Sequence, residues 1–281
     1  MENIEQSPGI RNTLDVVKRL SARLNRAVIG REAVIELLIV ALLADGHVLL
    51  EDFPGSGKTT LAKALGDCLI DDMPHDEIVA LRRIQFTPDL LPGDITGSTI
   101  FDPDNNSFIF RPGPLFAHIV LADEINRTSP KVQSALLEAM AEKQVTVDNR
   151  TWPLDRLFFV IATQNPLDLA GTYPLPVAQL DRFLFKIRMT TIDRGSELEV
   201  LRTIHTRKDP NASGLPTVTR SQLLRARLAM EHGVTVHPLI QEALVDTARA
   251  LRSDPRVIQG VSTRSLVLAV PALQARALLR E

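Results

Sequence analysis

The chain is poor in cysteine, tryptophan and tyrosine. Its 281 residues include one of each, and the cysteine is Cys68. A single cysteine excludes a disulfide within the chain and indicates a reducing compartment. Cys68 stands among apolar residues in a helical pattern, so we expect a buried thiol rather than a redox sensor.

An excess of positive charge is also missing. The formal net charge is −2, from 32 Lys and Arg residues against 34 Asp and Glu residues. Lys and Arg form no cluster, and few aromatic side chains are present that could stack on bases. We therefore expect no nucleic-acid partner, and a DNA-handling motor is the weaker interpretation.

Long hydrophobic runs are absent too. The most apolar stretch, residues 33–44, contains Glu36 and ends at Asp45-Gly46, which makes it a core helix too short for a bilayer. The first ten residues, MENIEQSPGI, lack the basic-then-apolar pattern of a signal peptide. We expect a cytoplasmic protein with no membrane span.

One glycine-rich loop dominates what is present. Residues 48–61, VLLEDFPGSGKTTL, join a short apolar run, a loop and a helical pattern. In that context loop N–H groups and the helix N-terminus bind phosphate, and a lysine reaches the terminal phosphates. The loop predicts an ATP or GTP site built from Pro54, Gly55, Ser56, Gly57, Lys58, Thr59 and Thr60, with Thr59 as a Mg²⁺ ligand. Asp52 stands where the usual pattern has its first glycine.

Two further polar groups follow apolar runs. Asp123 and Glu124 follow IVLA, and Asn165 closes ATQN. Ligands bind at the carboxyl ends of strands in open parallel sheets, so all three should face the phosphate loop. We expect Asp123 to hold Mg²⁺, Glu124 to activate the attacking water, and Asn165 to contact the γ-phosphate or position that water.

The apolar runs alternate with helical patterns in the first two-thirds of the chain, which predicts a parallel α/β sheet. The last third looks all-helical. We predict an α/β domain over residues 1–190 and a helical domain over 191–281. Two hairpins interrupt the first domain, one within residues 87–114, with short flanking helical pieces, and one at 145–154.

Three arginines are further candidates for the site or for an interface. Arg182 lies in QLDRF, Arg264 in STR and Arg127 in DEINR. An arginine supplied by a neighbouring subunit can stabilise the charge of phosphoryl transfer. Arg182 and Arg264 are therefore candidate catalytic residues, and Arg127 is a candidate for a subunit interface.

The order PGSGKTT, LADEINR, ATQN, QLDRF and STR resembles that of AAA+ ATPases. Longer strings, such as RIQFTPDLLPGDITG and LADEINRTSPKVQSALLEAMAEKQVTVD, are similar to the MoxR family. The resemblance covers residues 25 to 190 almost without a gap and continues less distinctly to the end.

This resemblance implies a three-layer αβα P-loop fold with strand order 5-1-4-3-2 and a small C-terminal helical lid. It makes 87–114 the helix-2 insert and 145–154 the pre-sensor hairpin. It assigns Lys58 and Thr59 to Walker A, Asp123 and Glu124 to Walker B, Asn165 to sensor 1, Arg182 to the arginine finger and Arg264 to sensor 2. It places adenine at Val28, Ile29 and Gly30.

The family implies ATP and Mg²⁺ as ligands, a homo-hexameric ring, and a chaperone-like motor that matures a client protein. Its usual partner carries a von Willebrand A domain. The client is not implied. Relatives usually continue past the position of Glu281, so a shortened lid is expected, with slow hydrolysis if Glu281 is the natural end. The alternatives are a magnesium-chelatase-like metal-insertion motor subunit and a slow nucleotide-gated scaffold.

Overall fold

The computed structural model describes residues 7–51, 56–72, 78–165, 171–203, 214 and 217–280. In these residues the elements are, in order, α1 (Pro8–Ala27), α2 (Glu32–Leu43), β1 (Val48–Glu51), α3 (Lys58–Cys68), β2 (Leu69–Ile70), β3 (Val79–Gln85), α4 (Pro92–Thr96), β4 (Gly97–Asp102), β5 (Ser107–Pro112), β6 (Ala117–Asp123), a 3₁₀ turn (Ile125–Arg127), α5 (Pro130–Glu142), β7 (Gln144–Val147), β8 (Arg150–Pro153), β9 (Phe159–Gln164), α6 (Val177–Leu180), β10 (Phe185–Arg188), α7 (Arg194–Thr203), β11 (Val218–Thr219), α8 (Arg220–Gly233), α9 (Pro238–Ser253) and α10 (Thr263–Leu279).

Five of the strands form the central sheet. Their order is β10-β1-β9-β6-β3, and every neighbouring pair is parallel. In chain order this is 5-1-4-3-2, so the predicted topology is confirmed. All of β6 is buried, as expected for a strand covered by helices on both faces. The carboxyl ends of the five strands therefore lie along one edge of the sheet.

The two faces of the sheet belong to two hydrophobic cores. Leu50, Leu121 and Ile161 share one core with buried residues of α1, α2 and α3, while Leu49 and Val160 share the other with α5. This alternation along the strands gives the three-layer αβα arrangement that the MoxR resemblance implies.

Helices of the last third join the first of these cores. Leu223 and Met230 of α8, and Ala275 and Leu278 of α10, pack with the α1–α3 residues. The two-residue strands β2 and β11 also pair, and β2 follows α3 directly. The domain boundary near residue 190 stays a prediction. Among the described helices, none has both the length and the apolar character that a bilayer crossing requires.

The insert between β3 and β6 contains the predicted hairpin, β4–β5. α4 precedes the hairpin, but residues 113–116 after it form a turn, so the second flanking helical piece is wrong. Gly97 adopts φ +99°, and a Cβ atom there would lie 2.4 Å from the Arg111 carbonyl oxygen. Only glycine fits such an approach, so the base of the hairpin is fixed.

The second predicted hairpin, β7–β8, is also present and contacts the first. The rings of Phe110 and Trp152 stack with centroids 4.3 Å apart, and Phe110 also meets Phe116 edge-on. Stacked aromatic pairs add specific attraction to the burial of their apolar area. The two hairpins are therefore packed against one another.

Helix α5 begins at Pro130, directly after Ser129. Ser129 stands at the N-cap position of this helix. Ser129 has extended backbone angles, but its side chain forms no capping hydrogen bond. Pro130 accounts for the start of the helix, because the φ of proline is already helical and proline has no N–H group that needs a partner.

Two buried histidines have opposite environments. His47 accepts from the Val160 N–H at 3.0 Å and contacts the Met140 carbonyl oxygen, and burial lowers its pKa from 6.5 to about 4. His118 lies 3.2 Å from Asp155 and 3.1 Å from Asp71. Burial alone would lower the pKa of His118, but these two carboxylates raise it above 6.5.

We therefore expect stability to decline on both sides of neutral pH. His47 resists protonation in the folded chain, so stability falls as pH drops from 6.5 towards 4, by about 3 kcal/mol in full. His118 favours its protonated form, so its contribution is complete below pH 6.5 and is lost as pH rises through the raised pKa. The free energy of unfolding, measured with urea across this pH range, gives an acidic limb (the decline below neutral pH) and an alkaline limb (the decline above it).

Matched variants separate the two histidines. His118→Gln should flatten the alkaline limb alone, and His47→Gln the acidic limb alone. An alkaline limb unchanged in His118→Gln would contradict the assignment.

Candidate nucleotide-binding site

The predicted polar residues follow the carboxyl ends of neighbouring strands. Lys58 and Thr59 open α3 after β1, Asp123 closes β6 and Glu124 follows it, and Asn165 follows β9. Since β1, β9 and β6 are adjacent and parallel, the structure brings all five to one edge of the sheet. This is the edge where open α/β sheets bind ligands.

The described part of the phosphate loop suits an anion. Gly57 adopts φ +95° and precedes α3, so no side chain caps the helix. The first-turn N–H groups of a helix have no intrahelical partner and can donate to phosphate. The Ser56 hydroxyl is also buried without a hydrogen-bond partner. Pro54 and Gly55, together with Asp52, lie outside the described residues. Thr60 is the third residue of α3.

The segment predicted to hold adenine lies beside this loop. A Cβ atom on Gly57 would lie 3.7 Å from Val28 Cγ1, which places Val28 against the loop. Gly30 adopts φ +69°, and a Cβ atom there would lie 2.6 Å from Ser196 Oγ. Residues 28–30, including Ile29, therefore lie between the phosphate loop and α7. Their role as the base pocket stays a prediction.

Asp123 is held by two neighbours that the sequence did not single out. Thr163 Oγ1 donates to Asp123 Oδ1 at 2.6 Å. Arg83 donates to Asp123 Oδ2 from Nη2 at 2.7 Å and from Nε at 3.2 Å. Thr163 is buried on β9, whereas the Arg83 side chain on β3 is half exposed. Both oxygens of Asp123 are thus engaged.

Glu124 is held in a turn of unusual conformation. Its φ of 58° is left-handed, and its N–H donates to Thr163 Oγ1 at 2.9 Å. Gln85 Nε2 donates to Glu124 Oε2 at 2.9 Å, and Arg127 Nε lies 3.1 Å from the same oxygen. Arg127, predicted as an interface candidate, contacts its own chain's Glu124. A non-glycine residue in this conformation is uncommon and marks the turn as specifically supported.

A buried amide supports the turns on either side of the site. Gln133 Nε2 donates to the carbonyl oxygens of Ile125, Thr128 and Tyr173, the last at 2.9 Å. The Tyr173 N–H donates to the Asn126 carbonyl oxygen at 2.7 Å, and the Asn126 amide contacts the Asn165 carbonyl oxygen at 3.4 Å. The turn after Glu124 and the backbone of Asn165 are therefore connected.

Arg182 is placed away from this edge. It precedes β10, at the amino end of the strand, and its guanidinium donates to the carbonyl oxygen of Leu137 in α5. The phosphate loop lies at the carboxyl end of the strands. One chain therefore does not bring Arg182 to its own phosphate loop.

Arg264 also lies away from the nucleotide-binding site of its own chain. Arg276, near the end of α10, pairs with Glu36, near the start of α2. Val267, near the start of α10, lines a cavity of about 730 Å³ with Ala44 and Asp45, which follow α2. The two helices are therefore antiparallel. Because α2 ends just before β1 begins, Arg264 lies at the amino end of the strands, away from the phosphate loop of its own chain.

The residues fit a bound magnesium ion. Thr59 and Asp123 supply oxygen donors, which Mg²⁺ prefers. In the described residues no group of three or more His, Cys, Asp or Glu could form a metal cage. Mg²⁺ is commonly held by one or two protein oxygens together with phosphates and water, so this small donor set is sufficient.

Comparison with known proteins agrees with this geometry. Residues 47–185 match the model of the ATPase family associated with various cellular activities (AAA). A putative ATPase from Cytophaga hutchinsonii has a similar structure, with a TM-score of 0.83 and 34% identity over 97% of this chain and 82% of that chain. The fold and the site thus define an ATPase of the AAA class.

Similarity to individual proteins identifies the family within this class. The chain is 46% identical to the uncharacterized protein YeaC of Bacillus subtilis over 91% of this chain and 77% of that protein. It is 42% identical to chaperone MoxR1 of Mycobacterium tuberculosis over 69% of this chain and 49% of that protein, and 29% identical to protein MoxR of Methylorubrum extorquens over 94% and 80%. The chain belongs to the MoxR family of AAA+ ATPases.

Proposed function

We propose that the protein is an ATP-hydrolysing motor that assembles into a ring, binds nucleotide between subunits and remodels a partner protein. The observation that carries the proposal is the separation of the site's parts. The phosphate loop and both acids lie at one edge of the sheet, whereas Arg182 lies at the other. An arginine so placed can complete only a neighbouring subunit's site.

Each residue has a chemical role in this proposal. Lys58 and the α3 N-terminus bind the phosphates, and Val28, Ile29 and Gly30 hold the base. Glu124 orients and deprotonates the attacking water, and Asn165 positions that water. Bound magnesium would neutralise charge on the phosphates, held by Thr59 and Asp123. Arg182, and Arg264 through the lid, would act on the nucleotide of the neighbouring subunit.

The hairpins suit contact with a polypeptide. Phe101 and Phe108 are opposite one another on β4 and β5, with ring centroids 5.3 Å apart, and are 50% and 71% exposed. Exposed aromatic pairs of this kind mark interaction surfaces. Asp102 and Asp104 lie beside them, so the surface favours an extended segment with apolar and basic residues.

The kind of partner is proposed from the family alone. Relatives named as a chaperone or as MoxR proteins support a protein client. A von Willebrand A domain protein is the adaptor that the MoxR resemblance predicts, and a hexamer is the predicted ring. Both are part of the proposal.

Binding of fluorescein-labelled casein, an unfolded protein, tests the hairpin surface. With a slowly hydrolysed ATP analogue present, we expect the parent to bind casein. The double variant Phe101→Ser/Phe108→Ser should bind about 10-fold or more weakly, because central aromatic residues dominate such contacts. Fluorescence anisotropy measures the affinity.

The opposite face of the same hairpin provides the matched control. Ile100 and Ile109 are 38% and 42% exposed and pair directly on that face. Ile100→Ser/Ile109→Ser should bind casein like the parent. A parent that binds no casein, or equal losses in both double variants, would contradict the proposed surface.

A further inference from the structure

Arg83 occupies the carboxylate that the proposed site assigns to magnesium. It lies on β3, whose residues pair in register with those of β6. Two nitrogens of its guanidinium donate to Asp123 Oδ2, at 2.7 and 3.2 Å. Charge-assisted contacts of this kind are the stronger class of hydrogen bond. Arg83 and Asp123 therefore form a hydrogen-bonded ion pair.

The two partners differ in their freedom to move. The Asp123 side chain is 11% exposed, and Thr163 holds its other oxygen at 2.6 Å. The Arg83 side chain is 50% exposed. Asp123 is therefore fixed in the site, whereas Arg83 can turn into solvent without opening the core.

We propose that Arg83 competes with magnesium for Asp123 and thereby sets the magnesium concentration at which the site binds nucleotide. A guanidinium and a divalent cation repel one another at a single carboxylate oxygen, so they exclude each other there. Arg83 holds the Asp123 carboxylate in position when no magnesium is bound, and the guanidinium moves away when magnesium binds. Arg83 is a positioning residue that tunes the metal requirement. The inference rests on the proposed nucleotide site.

Nucleotide binding at varied magnesium tests the competition without relying on hydrolysis. The probe is N-methylanthraniloyl-ADP, whose fluorescence is followed in the full chain over a series of free Mg²⁺ concentrations. Arg83→Gln should reach half-maximal magnesium-dependent binding at about 3- to 10-fold lower Mg²⁺ than the parent. Arg83→Lys keeps the charge without the two-nitrogen contact and should give an intermediate midpoint.

The neighbouring Arg82 is the matched control, because it is exposed and lies on the same strand. Arg82→Gln should overlay the parent. An unchanged or higher magnesium midpoint in Arg83→Gln overturns the proposal. So does weaker binding of the probe at saturating Mg²⁺, which would make Arg83 a phosphate ligand. A parent that binds no probe at any Mg²⁺ would instead refute the nucleotide site itself, and the inference with it.

Discussion

Replacing Glu124 with glutamine is expected to lower kcat for ATP hydrolysis by about 10²- to 10⁴-fold while ATP still binds. Glutamine keeps the size of the side chain and can still interact with Gln85, but it cannot accept a proton from the attacking water. The α3 N-terminus and Lys58, which bind the phosphates in the proposed site, are unchanged. Phosphate release and binding of a fluorescent ATP analogue measure the two properties separately.

Glu138→Gln is the control for this substitution. Glu138 is an exposed carboxylate on α5, so the same chemical change there should leave kcat at the parent value. Hydrolysis by Glu124→Gln at the parent rate would remove Glu124 from the proposed mechanism. Loss of ATP binding would show instead that the substitution disturbs the left-handed turn at Glu124.

Replacing Arg182 with alanine is expected to lower kcat by about 10³-fold or more, with ATP affinity retained. The guanidinium would stabilise the charge that develops on the transferred phosphoryl group, which it contacts only from a neighbouring subunit. For the same reason the specific activity of the parent should rise with protein concentration. ATP hydrolysis at a series of concentrations measures both effects.

Arg182→Ala also removes a contact within its own chain. Loss of the bond to the Leu137 carbonyl oxygen costs about 1 kcal/mol of stability, which urea unfolding can detect and which does not explain a large loss of kcat. Arg225→Ala, at an exposed arginine of α8, is the control. A flat dependence on concentration with an active Arg182→Ala protein would contradict the finger assignment.

The sequence predicted the sheet because its strands carry a strong local signal. The apolar runs of β1, β6 and β9 end in polar residues. β3 has no continuous apolar run, and most of its residues are partly or fully exposed. Arg83 and Gln85 contact Asp123 and Glu124, but no pattern of apolar residues marks them in the sequence.

Long-range packing explains what sequence analysis missed. The antiparallel arrangement of α10 against α2, which sets the position of Arg264, depends on contacts between residues far apart in the chain. Thr163 stands within ATQN, but its bonds to both Asp123 and Glu124 follow from the adjacency of β6 and β9. The pairing of β2 with β11 spans only two residues per strand, too few to give a pattern.

The central claim, a catalytic site shared between subunits, is tested most directly by mixing two inactive variants. Arg182→Ala subunits retain Glu124, and Glu124→Gln subunits retain Arg182. If the two meet at an interface, one complete site forms, and random assembly of equal amounts restores about a quarter of the sites. The account predicts hydrolysis that peaks near equal amounts. A mixture as inactive as either variant alone, under conditions where the subunits are shown to co-assemble, would contradict it.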